Sequence, residues 1–381
     1  MPPLWKIKRE IKTLRDQLSA LVELCLAPLR QRLSDPKIHE LTRVQSGDKP
    51  LGSKVALFLI YQPNGLSSSV ITTCSHLALK GYSVLLISNS ALENHDLQAL
   101  APYVWRFVQR INYGYDFGGY RDGIRLLWAW SVTPDSLLIL NDSIWYPLNA
   151  SSEMIELMEN SPAEFLGAIK HVDGGKPDTE HGGFFLSYFF MVKKTLFLSP
   201  IFSDFWKSYV ATSNKYLTVR RGERGFSKAM FSAGVKSEGV YSKDRFMGAL
   251  KKATPEGLFL TLKYGAYTDA EFIQQRDRLV EGFESTEAWK LDAISHIESV
   301  ASKRNFHSSF CYGTIKILGI PFLKKNKGEL QVRTREQYLL AVKAGDLPSP
   351  YSLAESEKLG GEVSDLEWIE ASEKMLSEIS A

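Results

Sequence analysis

The residues best suited to chemistry lie in one stretch of the chain, at positions 111–145. It opens with a polar, glycine-rich loop that contains Asn112, Gly114, Asp116, Tyr120 and Arg121. Glycine lets a ligand approach the backbone closely, so the loop is expected to grip a charged ligand. The alternative is a surface loop whose charges are only solvated.

The same stretch ends in a run of four aliphatic residues followed by Asn141-Asp142-Ser143. Such a run is typical of a buried parallel strand. Open α/β sheets bind ligands at the carboxyl ends of their strands, where Asp142 falls. We therefore expect Asp142 to hold a metal ion against the ligand. The alternative is an aspartate that only ends a strand.

The flanking segments alternate between strand and helix patterns, which predicts an α/β fold with a mainly parallel central sheet flanked by helices. Neither a dinucleotide fingerprint nor a P-loop is present. The predicted strands cover 54–61, 82–87, 105–111, 137–140, 165–170 and 184–192.

Three further places carry candidate residues. The polar loop 171–183 contains Asp178 and Glu180 and precedes an aromatic strand, a combination that would suit a sugar; the alternative is a mobile surface loop. Glu223 lies at a helix start, where a carboxylate is either a cap or a base in the cleft. His307 stands alone, and a lone histidine is more often structural.

Composition limits the class of protein. The 381 residues carry a net charge of +3, which does not favour a nucleic-acid partner. The three cysteines are far apart, so a reducing, cytoplasmic location is expected. We find no secretory signal and no apolar run long enough to span a membrane.

The chain is predicted to divide into an amphipathic helical arm with a linker (1–50), an α/β domain (51–330) and an acidic tail that is helical or disordered (331–381). Leucines at three- and four-residue spacing predict a helix over 4–33. The favoured interpretation packs this helix on its own domain or on a dimer partner. The alternative lays it on an anionic membrane surface, because basic residues cluster near Trp5.

Several motifs fall in order along the chain: Asn112-x-Gly-x-Asp116-Phe-Gly-Gly-Tyr120, Leu140-Asn-Asp142-Ser, Leu186-Ser-Tyr-Phe189, Glu223-x-Gly-x-Ser227, His307 and Gly319-x-Pro-Phe-x-Lys324. Together they resemble the rhamnan synthesis protein F family of bacterial glycosyltransferases in cell-surface polysaccharide assembly. The resemblance spans 54–326, and two segments depart from its pattern, at His181 and at 305–307.

The resemblance implies an A-type glycosyltransferase fold in which Asn141-Asp142-Ser143 is a reduced form of an Asp-x-Asp motif. It further implies transfer of a sugar, such as rhamnose or another deoxyhexose, from a nucleotide-diphosphate donor to a growing cell-surface polysaccharide or lipopolysaccharide glycan. Mg²⁺ or Mn²⁺ would be held by Asp142 with His307, and Lys324 and Arg121 would assist at the diphosphate.

The remaining implied roles concern the donor, the base and the location. Four loop residues would bind the nucleotide or sugar: Asn112, Gly114, Asp116 and Tyr120. Glu223 is the first candidate for the base, with Asp178 or Glu180 second. A lipid-linked acceptor would place the protein at the inner face of the plasma membrane.

Two rival functions stay open at this point. One is a catalytically silent glycan-binding or assembly protein that kept the fold. The other is a nucleotidyl- or phosphotransferase that uses the same acid and basic loop, although the missing P-loop weakens it.

Overall fold

A computed structural model describes residues 20–172 and 182–348. The predicted site residues Asp178 and Glu180, together with most of the acidic tail, lie outside the described residues. The chain forms two compact units. Among the described residues, the first contains 20–144, 151–172 and 182–242, and the second contains Trp145–Ala150 and 243–348.

A large sheet organises the first unit. Its strands run in the order β1-β4-β3-β2-β5-β9-β7-β10, and β8 pairs with β7. The strand bounds are β1 Thr42–Ser46, β2 Lys54–Ile60, β3 Tyr82–Ser88, β4 Val104–Arg110, β5 Ser136–Asn141, β7 Phe165–His171, β8 Phe184–Phe185, β9 Phe189–Lys193 and β10 Ser237–Tyr241.

The sheet is mixed, so the prediction of a mainly parallel sheet was only partly right. Strands β4, β3, β2 and β5 are parallel neighbours, and β7 pairs with β10 in parallel. Strand β9 is antiparallel to both β5 and β7, and β1 is antiparallel to β4. Hydrophobic periodicity reports that a strand is buried but not which way it runs, and this is why the error arose.

Two predicted segments differ in detail. The aromatic strand predicted over 184–192 is broken at Leu186–Tyr188, which separates β8 from β9. Strand β1 lies in the stretch predicted as a linker. All five of its residues pair with β4 at the edge of the sheet. An edge strand with one exposed face has a weak apolar signal, so the turn-forming residues around it dominated the interpretation.

The helices of the first unit flank this sheet. Helix α1 occupies 20–34 and is followed by a short 3₁₀ turn at Asp35–Lys37. A second 3₁₀ turn, Ala101–Tyr103, follows helix α4. A π-helical turn, Thr218–Glu223, leads into α10. The other bounds are α2 Ile38–Leu41, α3 Ser68–Leu79, α4 Asn94–Leu100, α5 Tyr115–Ala129, α6 Met154–Asn160, α7 Lys194–Phe197, α8 Pro200–Ser208, α9 Lys215–Leu217 and α10 Arg224–Ser232.

Helix α5 lies very close to the sheet. A Cβ at Gly119 would overlap Leu59 of β2, and a Cβ at Gly123 would overlap Leu57 of β2 and Ile87 of β3. All three aliphatic side chains belong to the buried core. The glycines therefore set the depth of this helix, which carries Asp116 and Tyr120.

The second unit is mostly helical. A two-stranded sheet joins β6 (Ile144–Trp145) and β11 (Leu323–Lys324), and a π-helical turn occupies Gly313–Ile317. Residues 270–303 contain two helices, each with its own side-chain N-cap. The helices are α11 Lys243–Lys252, α12 Pro255–Lys263, α13 Ala270–Glu281, α14 Glu287–Lys303, α15 Phe306–Ser309 and α16 Glu329–Lys343.

The apolar core of the second unit includes Tyr264, Cys311 and Tyr338. Tyr338 belongs to α16, so this helix, at the start of the predicted tail, is packed into the core of the second unit. Within the described ranges, no helix combines the length and the apolar character needed to cross a bilayer.

Glycine-to-alanine substitutions in two helices should change stability in opposite directions. A Cβ at Gly118 of α5 would overlap the backbone carbonyl of Tyr113, which accepts a hydrogen bond from Arg110 Nη2 at 2.7 Å. We expect Gly118→Ala to lower the free energy of unfolding by about 1–3 kcal/mol through overpacking. Denaturant unfolding measures the change.

Gly248→Ala in α11 is the matched control, since an added Cβ there meets no heavy atom within 4 Å. Alanine favours a helix interior by about 1 kcal/mol over glycine, so this variant should be stabilised. Equal effects at the two sites would contradict the close packing of α5.

Candidate functional site

The carboxyl ends of four parallel strands bring polar side chains together at one edge of the sheet. Arg110 at the end of β4 donates from Nη1 to Asn89 Oδ1 at 2.7 Å, just past the end of β3. Gln62 follows β2, and its Nε2 donates to Asp142 Oδ2 at 2.6 Å. The edge thus carries a row of hydrogen-bonded polar groups, as expected for a ligand-binding edge of an α/β sheet.

Asp142 also fixes the loop that follows β2. Its Oδ2 accepts a second hydrogen bond, from the backbone N–H of Tyr61 at 2.9 Å. Its own N–H donates to Leu59 O at 3.1 Å. This carboxylate therefore has a structural role, whatever ligand it meets.

The start of helix α5 is tied to the end of β5. Gly114 and Tyr115 both have positive φ, at 82° and 51°, which turns the chain into the helix. Asp116 follows in the first turn and accepts from Asn141 Nδ2 at 2.9 Å. Asn141 Oδ1 in turn accepts from the Ser143 hydroxyl at 2.6 Å. The prediction of a loop through Arg121 was therefore wrong, because the helix begins at Tyr115 and contains Asp116, Tyr120 and Arg121. The start of α5 and the Asn-Asp-Ser motif form one connected structure.

Tyr120 lies one turn further along α5 and is fully buried. Its hydroxyl donates to Ser187 O at 2.9 Å, in the break between β8 and β9. Burial, together with the negative charges of Asp116, Asp142 and Glu223, holds the pKa of Tyr120 well above its ordinary value. The phenol therefore stays a neutral donor while acting near three carboxylates.

Glu223 and Ser227 explain the spacing of the Glu-x-Gly-x-Ser motif. Glu223 Oε2 accepts from the Ser187 N–H at 2.9 Å, and Ser227 Oγ accepts from the Phe185 N–H at 3.0 Å. Residues four apart on a helix lie on one face, so this pair can satisfy two backbone donors of the broken strand. Glu223 thus holds the backbone that also receives Tyr120.

The contacts of α5, β5, Ser187 and Glu223 lie in the part of the chain that matches a known family, whereas His307 and Lys324 lie outside it. Residues 84–255 match the family model for Rhamnan synthesis protein F. The match covers just under half of the chain and includes every contact described above on α5, β5, Ser187 and Glu223. It confirms the predicted family resemblance and supports a role related to rhamnan synthesis and polysaccharide assembly.

A second comparison finds a relative in Sinorhizobium fredii (strain NBRC 101917 / NGR234). The two proteins are 29% identical over 259 residues, which is 68% of this chain and 67% of the relative. That relative is called uncharacterized protein y4gN, so it adds no activity.

Arg121, within the rhamnan synthesis protein F match, has its guanidinium engaged inside the first unit. It makes a two-pronged ion pair with Asp35, at 2.7 and 2.6 Å, and its Nε donates to Trp206 O at 3.2 Å. Arg125 adds a further bond to the same carboxylate at 2.7 Å. These groups line a cavity of about 200 Å³. A diphosphate contact by Arg121 stays a prediction.

The other predicted site residues fall into two groups. Asn112 is exposed in the loop before α5. His307 and Lys324 belong to the second unit, where they line one small cavity together with Arg335. Their roles at a metal ion or a diphosphate stay predictions.

The predicted metal ligands are Asp142 and His307. In the described ranges, no group of three or more His, Cys, Asp or Glu side chains is arranged to hold a metal ion. Asp142 Oδ2 accepts from two N–H groups, those of Tyr61 and Gln62. A metal ion held by Asp142 and His307 stays a prediction.

Sequence reasoning missed Gln62 and Asp35. Gln62 had a signal, because Gln-Pro-Asn-Gly directly follows the first core strand and so had to lie at the ligand-binding edge. Asp35 had none, since its partners Arg121 and Arg125 are far away in sequence.

Removing the charge of Asp35 should destabilise the first unit. The Arg121 side chain is only 5% exposed and that of Asp35 is 28% exposed. Asp35→Asn leaves Arg121 without its counter-ion, and breaking such a pair costs about 3 kcal/mol. We expect a corresponding loss in the free energy of unfolding, measured by denaturant titration.

Asp135→Asn provides the matched control for this prediction. Asp135 pairs with Lys194 at 2.8 Å, but both side chains are more than half exposed. Solvent screens such a pair, so the unfolding transition should hardly move. A similar loss in both variants would show that Asp35 is not a special contact.

Proposed function

We propose that this protein is a glycosyltransferase that moves a sugar from a nucleotide-diphosphate donor to a growing cell-surface polysaccharide or lipopolysaccharide glycan. The sugar is proposed to be rhamnose or another deoxyhexose. The fold is proposed to belong to the A-type glycosyltransferase class. One observation carries the proposal. Tyr120 interacts electrostatically with three motif acids from separate segments, which are Asp116, Asp142 and Glu223. Tyr120 and Glu223 also both bond to the backbone of Ser187.

The chemistry of transfer fits this arrangement. In a transfer that inverts the anomeric centre, an acceptor hydroxyl oxygen attacks the anomeric carbon while the bond to the diphosphate oxygen breaks. The hydroxyl proton must leave, and a carboxylate is a suitable acceptor for it. We assign this proton to Glu223, which is half-buried and is held in place by the Ser187 N–H.

Asp116 and Asn141 are assigned to positioning. Their hydrogen bond fixes the first turn of α5 against the end of β5, next to the exposed Tyr115. Helix N-termini and the amide groups near them favour anionic ligands. We therefore infer that the donor lies along this edge, between the loop after β2 and the start of α5.

The rival function is a catalytically silent glycan-binding or assembly protein. It is favoured because both acids make hydrogen bonds that stabilise the fold. Asp142 accepts from Tyr61 and Gln62, and Glu223 accepts from Ser187. A protein without activity could keep both acids for these structural hydrogen bonds alone. Donor cleavage by the purified protein separates the two functions.

Glu223→Gln tests the base directly. Glutamine keeps an oxygen that can accept the Ser187 N–H, but it cannot take up a proton at neutral pH. A thermal-shift screen of UDP-, GDP-, CMP- and dTDP-linked sugars, with and without Mn²⁺, first identifies the preferred donor. We expect this donor to raise the unfolding temperature of the variant as much as that of the wild-type protein. Donor consumption should fall by about 10²–10⁴-fold, the usual contribution of a general base.

Asp204→Asn, on the exposed surface of α8 in the same unit, controls for the loss of one negative charge and should consume donor at the wild-type rate. Wild-type consumption by Glu223→Gln would make Glu223 a loop anchor only. If no donor shifts the unfolding temperature of the wild-type protein, the silent binding protein becomes the better description.

A further inference from the structure

Helix α1 packs on the first unit with its polar side rather than its apolar side. The buried positions facing inward are Ala20, Glu23, Ala27 and Gln31. Glu23 accepts from the Thr212 hydroxyl at 2.9 Å. Gln31 donates to one backbone group and accepts from another in the segment 209–211, at 3.0 and 2.9 Å. Hydrogen bonds therefore attach the helix to its unit.

The opposite side of α1 is apolar and exposed relative to the described residues. Five large aliphatic side chains there are between 40% and 75% exposed: Leu21, Val22, Leu26, Leu29 and Leu33. At 3.6 residues per turn they cover an arc of about 140°, centred almost opposite the buried positions. The exposed Arg32 falls within the same arc, near the end of the helix. An exposed, mostly apolar face of this kind marks an interaction surface.

The breadth of this face favours a flat partner. A two-stranded coiled coil uses a narrow seam at heptad a and d positions, whereas a helix lying in a lipid interface buries a wide apolar face. An arc of about 140° fits the second case.

Charge identifies the kind of surface. Residues 1–46 contain nine Lys and Arg against five Asp and Glu, a net of +4, in a chain whose total is +3. The positive excess of the whole protein is therefore concentrated in the segment that carries the apolar face. Two of the acids, Glu23 and Asp35, are engaged with arginines. Most of the positive excess, five basic residues against two acids, belongs to the sequence that precedes Ala20. An apolar face in a basic segment of the sequence complements an anionic lipid surface.

We propose that the exposed face of α1 docks this protein on a membrane that contains anionic lipids. The apolar side chains enter the boundary between headgroups and acyl chains, while Glu23 and Gln31 keep the helix attached to the first unit. This docking does not depend on the proposed sugar transfer, because no residue of the candidate site takes part in it.

Vesicle co-sedimentation of the full chain tests the proposal. The probe is vesicles of equal parts phosphatidylglycerol and phosphatidylcholine, compared with phosphatidylcholine alone. We expect sedimentation with the anionic vesicles only, weakened by added salt. The double variant Leu26→Ser/Leu29→Ser should partition at least tenfold less, because two apolar side chains no longer enter the bilayer. Its thermal unfolding should match wild type, since both side chains are exposed in the folded protein.

The matched control is Leu79→Ser/Leu198→Ser, which removes two leucines elsewhere in the first unit that are 78% and 61% exposed, more than the 40% and 57% of Leu26 and Leu29. This variant should sediment like wild type. Equal binding to vesicles without phosphatidylglycerol would overturn the proposal, as would equal loss in both double variants. Absence of vesicle binding, with a dimer in light scattering that Leu26→Ser/Leu29→Ser dissolves, would assign the face to a second copy of the chain instead.

Discussion

Helix α5 can lie against strands β2 and β3 only because two of its residues facing them carry no side chain. Gly119 and Gly123 leave the room that Leu59, Leu57 and Ile87 occupy. This depth brings the first turns of the helix level with the ends of the parallel strands. Asp116 then reaches Asn141, and Tyr120 reaches Ser187. The remaining contacts of the candidate site depend on that close approach.

The sequence carried the parts of this arrangement that are local. Continuous aliphatic runs predicted β2, β3 and β5, and the loop composition predicted where polar groups would gather. Strand direction was beyond reach for β9, because an antiparallel strand buried on both faces has the same aliphatic and aromatic pattern as a parallel one. The break before β9 was also missed, since Leu186 and Tyr188 continue the apolar run.

The long-range contacts of the site had no signal in the sequence. The hydrogen bond between Tyr120 and Ser187 spans 67 positions, and the ion pair between Asp35 and Arg121 spans 86. Motif recognition selected Arg121 by its place in a loop, but only the fold determines which anion its guanidinium faces. The same holds for Glu223, whose motif spacing becomes clear when Ser227 is seen to serve the neighbouring N–H.

Glu223 and Tyr120 act on the two sides of one peptide segment. The carboxylate accepts from the N–H of Ser187 and the phenol donates to its C=O, so both polar groups of this residue are satisfied. A strand broken at this point would otherwise leave buried backbone groups unpaired, at a cost of roughly 1–3 kcal/mol each. The fold therefore needs an acceptor at position 223, whereas a negative charge there is needed only for the proposed proton transfer.

The arm and the candidate site meet on the same helix. Asp35 follows α1 and is held by Arg121 and Arg125, which belong to the helix that carries Asp116 and Tyr120. Because ion pairs and hydrogen bonds make this attachment, the exposed leucines of α1 take no part in it. An arm attached through leucines would have no apolar face left to offer. Polar attachment thus allows one short helix to be fixed to its own unit and to present an apolar face outward.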